Sequence, residues 1–172
     1  MDQSSWDEFN NTYSRYIKAI LYHARVPRDV IADLTQDIFL KVWKSIERLE
    51  YNPQKCRFRT WLGTVCRNTI YNYFNRRQAA HEELEDSLCK QAEIDEIIET
   101  EWQIYIAAMA MDNVSKRFND KFIYAYKEFQ SGRGVAEIAE TLEIAENSVY
   151  VYSKRVKTAI SREIILLIND LE

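Results

Sequence analysis

Phe58-Arg59-Thr60-Trp61-Leu62 is followed by Arg67-Asn68, then by Asn72-Tyr73 and Arg76-Arg77. Aromatic rings alternate here with permanent positive charges over one loop and one helical stretch. That combination suits single-stranded or melted DNA. A ring face stacks on an unpaired base, and Arg or Lys tracks the phosphates. Trp61, Leu62 and Phe74 sit on the apolar stripe of the stretch and are assigned to a core. Tyr51, Tyr71 and Tyr73 are not committed to it. The bases have no acidic partner within this helix, which favours nucleic acid over an internally neutralised face.

A second constellation lies near the C-terminus, where residues 134–157 read GVAEIAETLEIAENSVYVYSKRVK. Ile138 and Ala139, then Leu142 and Ile144, then Val149 and Val156 have the spacing of a helix-turn-helix. The small Ala139 lets two helices cross closely. The second helix of such a unit enters the major groove by its N-terminal half. Asn147, Ser148, Tyr150, Val151, Lys154 and Arg155 project away from the Val149/Tyr152/Val156 stripe. Asn and Arg make bidentate contacts to base edges. Lys154 and Lys157 neutralise phosphates. The bland counterpart is a helical hairpin with a solvated basic face. Glu143 occupies the turn, where Gly is usual because the backbone often needs positive φ. An altered or mildly strained turn is therefore expected.

Little else in the chain could do chemistry. There is no phosphate-cradling Gly loop and no nucleophile–base spacing, so an enzyme is not expected. His23 and His81 are far apart and match no ligand pattern. Cys56, Cys66 and Cys89 are odd in number and lack a C-x-x-C spacing, so they read as reduced thiols. No metal and no cofactor is expected. No run of 18 apolar residues exists, so no membrane insertion is expected. The polar start from Met1 to Trp6 is unlike a secretory signal, and a cytoplasmic location follows.

The elements that position these residues read as helices. Gly is only 3 and Pro only 2, where average usage would give roughly a dozen and about eight. Tight turns are thus scarce, and Asn-Gly and Asp-Gly hairpin signals are absent. Trp6, Phe9, Tyr13, Tyr16, Ile17, Ile20 and Leu21 predict a helix over 4–25, capped by Ser4 or Ser5. Ile31, Leu34, Ile38, Val42 and Ile46 predict a second over 28–48. Phe58, Trp61, Leu62, Val65, Cys66, Ile70 and Phe74 predict a third, ending at Arg76-Arg77. These three share one core, a helical domain over 1–78. Residues 79–100 read as an acidic linker, partly helical, in which Ile94, Ile97 and Ile98 dock weakly. A second domain over 101–172 starts with the apolar Ile104 to Met111. It continues with a helix over 118–129, the turn Ser131-Gly132-Arg133-Gly134, and helices over 135–142 and 146–170. The fold class is all-α, two small helical domains joined by an acidic linker.

Charge follows the same division. The net −4 argues against a free-standing DNA binder. Its distribution matters more. Residues 41–77 hold nine Lys/Arg against Glu47 and Glu50, a local +7. Residues 78–101 hold nine acids against Lys90, a local −8. Residues 150–162 hold four bases and no acid. Opposite-sign patches of this kind favour a closed free state. On the helix before the basic–aromatic one, Asp33, Gln36, Asp37 and Lys41 flank the apolar stripe, with Phe39 and Trp43 nearby. A mixed polar and aromatic face beside a DNA patch suits a protein partner.

Both constellations resemble one family. IADLTQDIFLKVWKSI followed by FRTWLGTVCRNTIYNYFNRR is similar to region 2 of bacterial sigma factors, and the C-terminal run resembles their region 4. With only these two regions and a linker, the chain resembles the extracytoplasmic-function group over nearly its whole length. The resemblance implies a transcription initiation factor with RNA polymerase core and promoter DNA as partners, and it admits an anti-sigma protein. It implies that Asp33, Gln36, Asp37, Phe39 and Lys41 dock on the polymerase clamp helices. The loop Tyr51–Arg57, with Asn52 and Lys55, would capture a flipped base of the −10 element. Arg67, Asn68, Asn72, Tyr73 and Arg76 would contact the upstream edge of that element, and Arg59 and Arg77 would also bind −10 DNA. Asn147, Ser148, Tyr150, Val151, Lys154, Arg155 and Lys157 would read the −35 element. Asn72 stands where the family often has Asp, Glu143 replaces the usual Gly, and Tyr150 stands where a base is frequent. These departures bear on promoter sequence. The net acidic charge is compatible, because core polymerase places both domains on one promoter and each module's own binding can be weak. The acidic linker would repel DNA and is expected beside a basic channel of the polymerase. The alternative is a free-standing helix-turn-helix regulator with a helical interaction domain, which binds duplex without polymerase and leaves residues 58–77 unexplained. A further class is an adaptor on the same fold that never opens DNA.

Overall fold

The computed structural model describes residues 3–47, 54, 56–79 and 91–171. Among them the chain forms seven helices and no strand. They divide into two compact bodies, one up to Gln103 and one over Ile104–Leu171.

The first body is built on α1 (Gln3–His23), α2 (Arg28–Glu47) and α3 (Phe58–Ala79). Tyr16, Ile17, Ile20 and Leu21 from α1 meet Ile38 and Val42 from α2 and Leu62 and Ile70 from α3, all nearly or fully removed from water. Each such apolar side chain contributes roughly 1.5–3 kcal/mol by its burial. The end of α1 is closed by the chain itself. The Val26 N–H donates to the Leu21 carbonyl (3.1 Å) and the Arg25 N–H to that of Tyr22 (3.0 Å). This pair of bonds requires a left-handed residue between them, and Arg25 supplies it at φ 61°. Pro27 follows at once and cannot continue a helix.

An aromatic cluster ties the start of α3 to the other two helices. Trp6 lies 4.8 Å from Trp43 and 5.3 Å from Phe9, and Phe9 lies 5.8 Å from Phe39 and 5.7 Å from Phe58 between ring centroids. Rings at these separations and tilts attract beyond their area burial. The cluster fixes where the basic helix begins.

Residues 91–100, the described part of the segment expected as a partly helical linker, form the first turns of α4 (Gln91–Ser115). Ile94 and Trp102 on α4 are buried. The packing boundary therefore falls after Gln103 rather than after residue 100. Residues 80–90, the remainder of the expected linker, lie outside the described residues, as do His81 and Cys89.

The second body contains the end of α4, α5 (Asp120–Gln130), α6 (Val135–Leu142) and α7 (Glu146–Leu171). Asn119 caps α5, its side-chain oxygen accepting from the Lys121 N–H at 2.9 Å. Ala125, Ile138, Ala139 and Val149 form one core cluster. Val114, Ile123 and Val156 form the other. Ala125 and Ala139 are both buried in the first of these clusters. The expected turn at 131–134 is present, with Gly132 at φ 87°. Arg133 in that turn donates to Tyr124 (2.8 Å), Glu128 (3.2 Å) and Glu137 (3.2 Å), which joins α5 to α6.

Candidate nucleic-acid interface

In the first body the candidate residues fall on two different faces of α3. Arg59, Gly63 and Arg67 recur every four residues, so they share one stripe. That stripe lies under α4. Arg67 Nη1 is 2.7 Å from the Asp95 carboxylate, and Arg59 pairs with Glu99. The Arg59 guanidinium also lies 5.2 Å from the ring centre of Trp102. A Cβ built on Gly63 would stand 3.2 Å from the Ile98 methyl, so a glycine here permits the close approach. The acidic partners that α3 itself lacks come from α4 (Gln91–Ser115), twenty-eight and forty residues from the arginines they meet.

Asn68, Asn72 and Arg76 lie on the other face and are exposed. Tyr71, on that exposed side, is 49% accessible. Tyr73 is half-buried and accepts a hydrogen bond from Arg77 Nη1 at 3.0 Å. A cleft of about 230 Å³ between α2 and α3 is lined by Asp37, Lys41 and Lys44 on one side and Asn72, Tyr73 and Arg76 on the other. It unites residues assigned to polymerase docking with residues assigned to −10 DNA. Lys41 Nζ donates to Thr69 Oγ1 (2.8 Å), and that hydroxyl donates to the Val65 carbonyl (2.8 Å). The network sets the spacing of the two walls.

Asp33, Gln36 and Asp37 are exposed along α2. Phe39 is not. It is 6% accessible, against Trp6 and Phe9. Its place in the aromatic cluster makes it a support for the α2 surface rather than part of it, because i and i+2 positions on a helix point to different sides. Arg57 is exposed just ahead of α3. Tyr51, Asn52 and Lys55 lie outside the described residues. Trp61 is half-buried beside Phe58, and Leu62 and Phe74 are core. Cys66 is also core, and burial pushes its thiol up to about 12.

In the second body α6 is followed by a short turn and then α7, the pair expected as a helix-turn-helix. The turn is not altered. Glu143 adopts φ 55°, ψ 51°, its N–H donates to the Glu140 carbonyl (3.2 Å), and the Ile144 N–H donates to that of Ala139 (3.0 Å). This repeats the closure seen after α1, with Glu where Gly is least strained. Asn147, Tyr150, Val151, Lys154, Arg155 and Lys157 are exposed on α7, and Ser148 is half-buried. Tyr150 leans on Phe129 with centroids 5.5 Å apart. Val151, Lys154 and Arg155 continue into an open groove with Phe118, Thr158 and Arg162. Glu163 is nearly buried at the far side of α7 and accepts from Asn113 (2.9 Å) and from Arg117. These two donors hold its carboxyl below the usual carboxylate range. Glu140, Glu143 and Glu146 are exposed at the turn, so the face is basic along α7 and acidic at its start. Such a mixed face binds phosphate weakly by itself.

Among the described residues no group of three or more His, Cys, Asp or Glu is placed to hold a metal ion. No helix there is long and apolar enough to cross a membrane. Sequence reasoning missed Arg133 and the α4 acids Asp95 and Glu99. The signal for Asp95 and Glu99 was their place directly after Ile94 and Ile98 in the i, i+4, i+8 apolar series that ends at Trp102.

Comparison with known proteins bears on the first body. Residues 11–80 match the family Sigma-70 region 2. The match takes in most of α1, all of α2 and all of α3. No curated protein matches the chain. Over these residues the chain is similar to a sigma-70 region 2 domain.

Proposed function

We propose that this chain is a sigma factor of the extracytoplasmic-function type, acting in the cytoplasm with RNA polymerase core. The first body docks on the polymerase clamp helices through the exposed α2 edge of Asp33, Gln36 and Asp37, with Lys41 holding the adjoining wall. It recognises and melts the −10 element with the outward face of α3, namely Asn68, Asn72, Tyr73 and Arg76, and with the Tyr51–Arg57 loop. The second body reads the −35 element with α7. Asn147 and Arg155 contact base edges, and Lys154 and Lys157 contact phosphates. The same surfaces are open to an anti-sigma partner.

The observation that carries this reading is that the region 2 match falls on a body that exposes both a polar α2 edge and a basic, aromatic α3 face. The mixed charge at the start of α7 supports it further. A module with three exposed carboxylates beside its recognition helix binds duplex poorly alone, and a polymerase that tethers both modules removes that handicap.

The test is size-exclusion chromatography of the chain with bacterial core RNA polymerase, with Asp37→Arg as the control. Co-elution of the wild type, lost in the control, is expected. Permanganate reactivity of −10 thymines in the reconstituted holoenzyme then reports melting. A folded chain that does not co-elute and binds duplex by itself would return the free-standing regulator instead.

A further inference from the structure

We infer that the first half of α4 is a built-in competitor for nucleic acid on α3. The inference rests on the nucleic-acid reading of that helix. The contact lies wholly within the first body. Ile94 and Trp102 are 1% and 2% accessible, Ile98 packs over Gly63, and the Ile98 carbonyl accepts from the Tyr16 hydroxyl at 3.2 Å. Trp102 meets the Tyr16 ring edge-on at 5.4 Å. His23 Nδ1 lies 2.7 Å from the Glu101 carboxylate. These contacts seat the helix. From the same seat Asp95 and Glu99, one turn apart, reach Arg67 and Arg59.

The two ion pairs are not what holds α4 down. The Asp95 and Glu99 side chains remain 48% and 52% accessible, and exposed pairs contribute about 0–1 kcal/mol. Their larger consequence is electrostatic. Two guanidiniums suited to track a strand's phosphates already face carboxylates, while Trp102 occupies the ring-stacking side of Arg59. A strand that is to use Arg59 and Arg67 must displace Glu99 and Asp95, and its apparent affinity falls by the fraction of chains in which they are engaged. The outward face, with Asn68, Asn72 and Arg76, stays open. The free chain thus presents half of its α3 interface and withholds the other half.

The experiment is fluorescence anisotropy of the full chain with a fluorescein-labelled single-stranded oligodeoxynucleotide of mixed sequence, over a salt series. Asp95→Asn/Glu99→Gln is expected to bind roughly 5- to 10-fold tighter than wild type, with the log affinity–log salt slope steeper by about 1.4, or about 0.7 for each guanidinium released to a phosphate. Glu96→Gln removes an equal charge from the next, exposed position, and is expected to gain much less than Asp95→Asn alone. Adding Arg59→Ala and Arg67→Ala to the double variant is expected to abolish its gain. An equal gain from Asp95→Asn and Glu96→Gln, with strand binding intact, overturns the competitor and leaves the reading of α3 standing. A gain that survives loss of both arginines overturns it in the same way. If no variant binds the strand, free or in complex with core polymerase, the nucleic-acid reading of α3 falls and the inference falls with it.

Discussion

Replacing Glu143 by Gly should stabilise the helix-turn-helix. The residue sits at φ 55°, ψ 51° and closes α6 with two backbone hydrogen bonds. A side chain in that region costs about 1–2 kcal/mol through the contact of its Cβ with the following carbonyl. Glycine removes that cost but returns about 0.4–1 kcal/mol of chain entropy to the unfolded state. The net gain is about 0.5–1 kcal/mol, or about 2–8 °C in the transition of a body of this size. Glu143 is exposed, so no packing is lost. Glu143→Ala keeps the Cβ and is expected to leave stability nearly unchanged, which isolates the backbone term from the loss of charge. Hydrogen exchange of the α6 and α7 amides measures the effect within the second body. A Gly variant no more protected than the Ala variant would refute the reasoning, because strain at this turn would then be absent.

Three further outcomes are expected. Lys154→Ala and Arg155→Ala should each lower the salt slope of holoenzyme binding to promoter duplex by about 0.9 if the side chain contacts one phosphate; Arg155→Ala should also relax sequence preference, read by competition with mutated −35 sites. Glu163 has its folded-state carboxyl held below the ordinary value of 4.5, so it stabilises the second body above that pH and loses the contribution as pH falls through the lower folded-state value. Unfolding of wild type and Glu163→Gln should therefore differ at neutral pH and converge in acid; a constant difference would exclude the linkage. Cys66 is fully buried, with its thiol pushed up to about 12. Maleimide at neutral pH should modify the half-buried Cys56 in the native chain and reach Cys66 only in denaturant.

The three helices of the first body and the last two of the second were readable from residue spacing, since Ile38/Val42, Leu62/Ile70 and Ile138/Val149 bury as the stripes predicted. The helix at 91–103 was not read as part of the first body. Its Ile94, Ile98 and Trp102 are diluted by Glu93, Asp95, Glu96, Glu99 and Glu101, a density of like charge that reads as solvated. Phe39 was placed on the docking surface by the family resemblance, and the ring cluster with Trp6 and Phe9, thirty and more residues away in sequence, draws it inside.

Local pattern alone determined the all-helical class, the left-handed residue between α6 and α7 and the basic–aromatic character of residues 58–77. Those properties depend on neighbours within one or two helical turns, where spacing dictates geometry. Only the tertiary structure decided which side of α3 faces outward, that Arg59 and Arg67 are met by Glu99 and Asp95, and that α4 begins on the first body. A charge reads as free in a sequence until folding brings a partner to it, and these partners lie twenty-eight and forty residues away.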